Sequence, residues 1–297
     1  MSNWKLAYKQ SPSRCNIRTF KYTVGLLPYG NLPFGKFTVP KQYCMHRSER
    51  RDSNRKDQLT GVANVKTLIH DVDYNKFISL LGTAHFTRRS LHEANEAVRR
   101  LQPTDLAIEL DLKRFKILNN TCFGCPRYGS CTMKCEFIGA TEALGNVDTN
   151  IWLIDMSEHE IRQRIQRLTT PTWICRVSIP FAHREDATKR LWEQGFKDEV
   201  LNSHQKRLER LRRYAPQIWQ VLIDERNTLM AVRLAWIATE KLEAEKHPNI
   251  LALVGAAHVD GIRDLLEEPT AIKANLQRLG LRFTPPTLIR RISVRGD

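Results

Sequence analysis

The sequence predicts an α/β fold of two similar halves with mostly parallel strands, long helices between them and a small β-rich N-terminal extension. Short apolar runs alternate along the chain with longer segments of helical periodicity, which is typical of α/β proteins. A strand followed by Gly-x-x-His also occurs twice, at Gly82–His85 and Gly255–His258. With 297 residues, 41% of them hydrophobic, the chain is long enough for one large domain with an extension.

The individual elements follow from periodicity and punctuation. Strands are predicted at Phe77–Leu81, Leu106–Leu110, Ile151–Ile154 and Ile250–Val254, with an edge strand at Thr287–Val294. Helices are predicted at Ser90–Leu101, Phe137–Leu144, after Ser157, at 186–213, at Ala215–Leu242 and at Asp260–Leu266. We predict Ser90 and Ser157 as N-caps, because a glutamate follows each three residues later.

Positive charge is concentrated near the N-terminus. Residues 1–56 hold twelve Lys and Arg against two acidic residues, whereas the whole chain has a net charge of +15. We predict a basic extension at 1–64, with a linker at Arg47–Lys56, and a main domain at 65–297. The extension is interpreted as an attachment surface for nucleic acid or an acidic partner, with a solubilising tail or a transit peptide as alternatives.

The sequence predicts a soluble, intracellular and cytoplasmic protein, with organelle targeting as an alternative. No apolar run approaches the roughly 20 residues that span a bilayer. The N-terminus, Met-Ser-Asn-Trp-Lys, leads into no apolar segment of the kind that signals secretion.

The two Gly-x-x-His elements predict a shared polar site. In a parallel sheet, His85 and His258 would both lie just beyond strand carboxyl ends, where α/β proteins bind ligands. Each glycine would allow a sharp turn and a close approach. Either element alone could be an ordinary strand-to-helix turn, but two copies favour a site, and neutral imidazole is a common metal ligand.

Three charged residues occupy positions predicted to be buried. Glu109 ends a buried strand, where a carboxylate is costly unless it is paired or metal-bound. Glu225 interrupts the apolar stripe of the longest helix, and Arg226 follows it. A buried acid beside a buried base is either a structural ion pair or part of a functional site.

These segments together resemble the TraB/PrgY family over roughly residues 77–265. The resemblance rests on Leu80–Thr87, Ile108–Asp111, Asp224–Asn227 with Met230 and Ala231, and Val254–Ile262. That family is similar to the TIKI metalloproteases and to erythromycin esterase and ChaN-like proteins. The resemblance implies an active site between two α/β halves, built from His85, Glu109, Glu225, Arg226 and His258. The basic extension, the cysteine cluster and the lack of a C-terminal membrane helix depart from the family pattern.

A cysteine cluster interrupts the domain at about 119–136. Its spacing is Cys122-x2-Cys125-x5-Cys131-x3-Cys135, which can close a tetrahedral shell around zinc. The same four thiolates could hold an iron–sulfur cluster, and four unligated cysteines are the third alternative.

The expected function is a metal-dependent, peptidase-like hydrolase, with a peptide or other amide as substrate by resemblance. His85, His258 and Glu109 would hold a divalent metal ion, and Glu225 would be a ligand or a general base. Arg226 would orient that carboxylate or stabilise an oxyanion. The alternative is a non-catalytic protein that binds a ligand or partner in the same cleft, with the basic extension and cysteine cluster contacting nucleic acid.

Overall fold

The computed structural model describes residues 69–85, 87–123, 135–145, 149–169 and 185–290. In this part of the chain the strands are β1 (Ile78–Thr83), β2 (Asp105–Ile108), β3 (Asn150–Leu153), β4 (Ile250–Gly255) and β5 (Thr287–Arg290). They form one sheet in the order β1-β4-β2-β3-β5. The first four strands are parallel and β5 pairs antiparallel with β3 at the edge. The predicted α/β fold with mostly parallel strands is confirmed.

Helices connect the strands and cover the sheet. They are α1 (Arg88–Leu101), α2 (Leu112–Phe123), α3 (Glu136–Ala143), α4 (Glu158–Leu168), α5 (Glu185–Gln194), α6 (Lys197–Tyr214), α7 (Pro216–Trp219), α8 (Arg226–Glu243), α9 (Val259–Glu267) and α10 (Pro269–Leu279). A π-helical segment, Gln220–Glu225, joins α7 directly to α8. The long helix predicted from Ala215 therefore exists, but it contains a local change of helical period.

One local prediction was wrong. Thr87, not Ser90, is the N-cap of α1, because its extended backbone lets its hydroxyl accept from the Ser90 amide at 3.2 Å. The Ser90 hydroxyl instead accepts from the Ala84 amide at 3.0 Å and so ties down the loop that carries His85. The helical character predicted for residues 186–213 is confirmed, and it is divided between α5 and α6 because Gly195 between them has a φ of +95°. The capping of α4 by Ser157 is confirmed.

The interior strands explain where functional side chains can emerge. Every residue of β2 and of β4 is buried, as expected for parallel strands covered on both faces. Polar side chains can therefore enter this region only where the strands end. We call the side of the sheet on which the four parallel strands end the carboxyl edge.

Several predictions lie outside the described residues. These are the basic extension at 1–64, the boundary at 65 and the end of the predicted edge strand beyond Arg290. Their interpretations stay predictions. Among the helices that the structure does describe, none combines the length and apolar character needed to cross a membrane.

Candidate active site

Four polar side chains follow the four parallel strands at the carboxyl edge. His85 follows β1, His258 follows β4, Glu109 directly follows β2, and Asp155 follows β3. Because β1 and β4 are neighbours in register, with Thr83 opposite Gly255, the two Gly-x-x-His elements lie side by side. The structure therefore brings together His85, Glu109 and His258, as the sequence predicted.

Each glycine of the repeated element makes room for the other element. A Cβ on Gly82 would lie 2.8 Å from Val259 Cγ2, in the segment that follows β4. A Cβ on Gly255 would lie 3.1 Å from His85 Nε2 and 3.3 Å from Glu109 Oε2. The close approach that the sequence predicted for these glycines is therefore between the two elements themselves.

His85 is held by a buried carboxylate that the sequence analysis did not identify. Its Nδ1 donates to Glu136 Oε1 at 2.5 Å, and Glu136 is fully buried at the start of α3. Thr83 donates to the same oxygen at 3.1 Å. Burial alone would lower the pKa of His85, but the charge and hydrogen bond of Glu136 outweigh it and raise that pKa above 6.5.

Arg226 lies at the centre of the cluster. Its Nε donates to Asp155 Oδ1 at 2.9 Å and its Nη2 to Asp155 Oδ2 at 2.7 Å. Nη2 also donates to Glu109, and Nη1 donates to His258 Nε2 at 3.1 Å and to the Leu222 carbonyl at 3.4 Å. All five N–H groups of the guanidinium are thus engaged within the protein. The prediction that Arg226 orients Glu225 was wrong, and no N–H is left over for an oxyanion.

The acidic partners of Arg226 are ionised despite their burial. Burial alone would raise the pKa of Asp155, but Arg226 and Arg114 hold it well below its usual range. Burial alone would likewise raise the pKa of Glu109, but its positive neighbours lower it below 4.5. The second oxygen of Glu109 accepts from the Gly255 backbone amide at 2.5 Å. Arg114 donates to Asp155 and to Asp111, each at 2.6 Å, which extends the network towards α2.

His258 differs from His85 in its environment. Its Nδ1 donates to Asn227 Oδ1 at 2.6 Å, while its Nε2 accepts from Arg226. Burial lowers the pKa of His258 to about 4. The imidazole is therefore neutral near pH 7, and both ring nitrogens serve to position Arg226 and Asn227.

This difference predicts a pH dependence of stability. A histidine with a folded pKa of about 4 and an unfolded pKa of 6.5 favours the unfolded state as it is protonated, so stability is lost between pH 6.5 and 4. The loss assigned to His258 is about 3 kcal/mol. Urea unfolding across this range should show it, and His258→Gln should flatten the profile there. A variant profile as steep as that of the unchanged chain would contradict the assignment. His85 acts in the other direction, since its raised pKa gives stability that is lost above pH 6.5.

Glu225 does not join the cluster. It is fully buried but pairs with Arg164 of α4, and Gln220 donates to its Oε1 at 2.9 Å. Among the described residues, no hydrogen bond or ion pair joins it to His85, Glu109 or His258. Successive helical residues project about 100° apart, so Arg226 reaches the carboxyl edge while Glu225 faces α4. Glu225 is thus in a structural ion pair, but its partner is Arg164 and not the adjacent Arg226 that the sequence analysis considered.

Three contributors were missed. Asp155 follows a strand just as Glu109 does, so the rule that identified Glu109 could have identified it. Asn227 lies within the segment that resembles the TraB family, and Gly261 leaves room for it, since a Cβ there would lie 2.2 Å from Asn227 Nδ2. Glu136 carries no sequence signal, because it is separated from the strand-helix pattern by the cysteine segment.

The described residues do not fit the predicted metal ion. A shared ion would need the lone pairs of His258 Nε2 and Glu109, which accept instead from Arg226 and from the Gly255 amide. The guanidinium would also repel a cation at this place. Across the described ranges, no group of three or more His, Cys, Asp or Glu could hold a metal ion. We therefore assign the cluster no step that involves a metal.

The cysteine cluster is only partly within the described structure. Cys125 and Cys131 lie outside it, and Cys122 falls in the last turn of α2, whose side chains are not described. Cys135 is buried and is the N-cap residue of α3. It directly precedes Glu136, so this end of the cluster is adjacent in sequence to the residue that holds His85.

The prediction for the cysteines is a bound metal. Protein purified without oxygen should contain about one zinc per chain or an iron–sulfur cluster with visible absorption. Cys125→Ser should lose that metal, whereas Cys175→Ser, outside the cluster, should keep it. Metal analysis that finds neither element, together with free thiols at all four cysteines of the cluster, would contradict the prediction.

Comparison with known proteins leaves the activity open. No protein-family model and no solved structure matches the chain. The chain is similar to an uncharacterised protein of Methanocaldococcus jannaschii, with 27% identity in an alignment 214 residues long, and the match covers 62% of this chain. It spans about half the length of that relative, since the match covers 52% of it. The function must therefore be argued from the site.

Proposed function

We propose that the chain is a hydrolase of peptides or other amides in which His85 is the general base. One observation carries the proposal: His85 Nδ1 donates to the fully buried Glu136 at 2.5 Å. A carboxylate on Nδ1 fixes the tautomer and turns Nε2 into the proton acceptor. Across the described part of the chain, that Nε2 has no hydrogen-bond partner.

The proposed chemistry needs one proton relay. Neutral His85 takes a proton from a water molecule at Nε2 while the water oxygen attacks the amide carbon. Glu136 stabilises the imidazolium that forms. The imidazolium then returns the proton to the amine nitrogen as the carbon–nitrogen bond breaks.

The rest of the cluster acts as positioning residues. Arg226 donates to Glu109, to Asp155 and to His258. The other ring nitrogen of His258 donates to Asn227, so this histidine holds one side of the guanidinium in place. Glu109 Oε2 and His85 Nε2 both lie against Gly255, so the network fixes the space in front of the base. The family resemblance supports the peptide or amide class of substrate, and the geometry supports the role of His85.

A hydrolysis screen tests this function. Blocked peptides and small amides would be incubated with the chain, and newly formed amines would be detected with an amine-reactive dye. We expect at least one class to be cleaved, with the activity at least about 10²-fold lower in His85→Gln. Cleavage that is equal in both proteins would come from a contaminant and would contradict the proposal.

A non-catalytic binding protein is the second candidate. Its support is that Arg226 and Glu109 already satisfy one another within a buried network, as in a structural core. Under this alternative, ligands would bind near His85 without any bond being cleaved. Saturable binding together with no turnover in the same screen would favour it.

A further inference from the structure

A cavity lies at the carboxyl edge beyond the cluster, beside β3 and β5. Its volume is about 780 Å³, which is enough for part of a peptide. Asp155 and Thr287 line it, so it lies on the side of the sheet where the parallel strands end. Neither the proposed base nor its carboxylate partner lines the cavity.

One wall of the cavity carries two lysines that have no close carboxylate partner among the described residues. Lys113 and Lys116, three residues apart on α2, both line it. Among the described residues, Lys116 has no carboxylate within ion-pair distance, and Lys113 approaches Glu158 Oε2 only at 3.9 Å. The two ammonium groups are therefore available to an anion.

Arg233 adds a buried cation to the same cavity. It is 7% exposed and donates to the carbonyls of Ile154, Asp155 and Thr284 and to the Thr284 hydroxyl. These contacts use four of its five N–H groups, and none of the acceptors is a carboxylate. A guanidinium prefers a bidentate anionic partner, and this one has none in the described part of the chain.

The acids that line the cavity are mostly neutralised elsewhere. Asp111 pairs with Arg114, and Asp155 pairs with Arg114 and Arg226. Glu160 is the remaining carboxylate in the lining. The available charge is therefore positive on the α2 and α8 walls, opposed by one acid.

We infer that this cavity binds the terminal carboxylate of a peptide whose scissile amide lies at His85. The order β1-β4-β2-β3 puts three strand spacings, roughly 14 Å, between the two places. About four extended residues cover that length. The inference uses the proposed hydrolase function only in calling the ligand a substrate, because binding of the carboxylate does not require turnover.

Binding is tested in the His85→Gln chain, so that turnover cannot consume the probe. The probes are acetyl-tetraglycine with a free carboxylate, the same peptide as its terminal amide, and inorganic phosphate, titrated by calorimetry at constant ionic strength. The Lys113→Gln, Lys116→Gln double variant should bind the free peptide about tenfold more weakly. Glu160→Gln should bind it more tightly. Lys206→Gln with Lys246→Gln, two exposed lysines away from the cavity, is the matched control and should not change the affinity.

The outcomes separate this inference from the proposed function. Binding of the free peptide but not its amide, with the stated response of the variants, supports the carboxylate site even if no amide is ever found to be cleaved. Equal binding of both peptides, no saturable binding, or a loss as large in the control variant would overturn it. Preferential binding of phosphate would overturn the peptide carboxylate as the ligand.

Discussion

Replacing Arg226 with methionine should lower the free energy of unfolding by about 3–5 kcal/mol at pH 7. The change leaves Asp155 and Glu109 buried, 3% and 6% exposed, without the guanidinium that both contact. Asp155 keeps Arg114 as a partner, whereas Glu109 loses the only arginine with which it pairs among the described residues. Methionine fills similar space, so the loss would report this missing charge compensation rather than a cavity. Urea unfolding followed by circular dichroism measures the effect.

The matched control is Arg278→Met. Arg278 also pairs with an aspartate, Asp224, but its side chain is 55% exposed. An exposed pair contributes at most about 1 kcal/mol, so this variant should remain close to the unchanged chain. If both variants lose the same stability, the buried contacts of Arg226 stabilise the fold no more than an exposed ion pair does, which would contradict the prediction.

Lowering the pH should reduce the difference in the free energy of unfolding between Arg226→Met and the unchanged chain. Without Arg226, burial would raise the pKa of Glu109, so its protonation at lower pH would relieve the unpaired charge. Adding Glu109→Gln to Arg226→Met should recover part of the lost stability, because it also removes the unpaired charge. If Arg226→Met fails to fold, Arg226→Lys is the substitute variant. It keeps the positive charge but loses the paired geometry, so it should be less stable than the unchanged chain yet still fold.

The sequence predicts the fold better than it predicts the roles of the site residues. The four parallel strands β1 to β4 all lie within two residues of their predicted bounds, because buried parallel strands are short apolar runs with polar ends. The position of His85, Glu109 and His258 at one edge followed from the same rule. Strand ends can be read from local pattern, and parallel strands bring their ends together.

The remaining roles depend on contacts that local pattern does not encode. His85 and His258 occupy near-identical motifs, yet Glu136 from α3 holds one and Arg226 with Asn227 holds the other. Glu225 and Arg226 are adjacent in sequence, but the helix directs them to different partners. A buried acid next to a buried base looks the same in sequence whether or not the two residues touch each other.

The largest expected effect on activity comes from His85. Once a cleaved amide is found, His85→Gln should lower kcat by about 10²- to 10⁴-fold, the usual contribution of a general base. Glutamine is similar in reach but cannot take up the proton. His92→Gln, an exposed histidine on α1, is the control and should leave the rate unchanged.

Glu136→Gln distinguishes a catalytic dyad from a merely structural contact. The charge of Glu136 raises the pKa of His85, and only neutral His85 is a base, so activity should rise with pH through that raised pKa. Removing the charge should move the acidic limb of the pH–rate profile to lower pH. It should also lower the maximal rate, since the imidazole loses its orienting partner. The NMR titration of His85 should move in the same direction as the limb. If Glu136→Gln lowers the rate while the limb and the His85 pKa both stay in place, Glu136 supports the fold and is no part of a dyad. If the His85 pKa moves and the limb does not follow it, His85 is not the base.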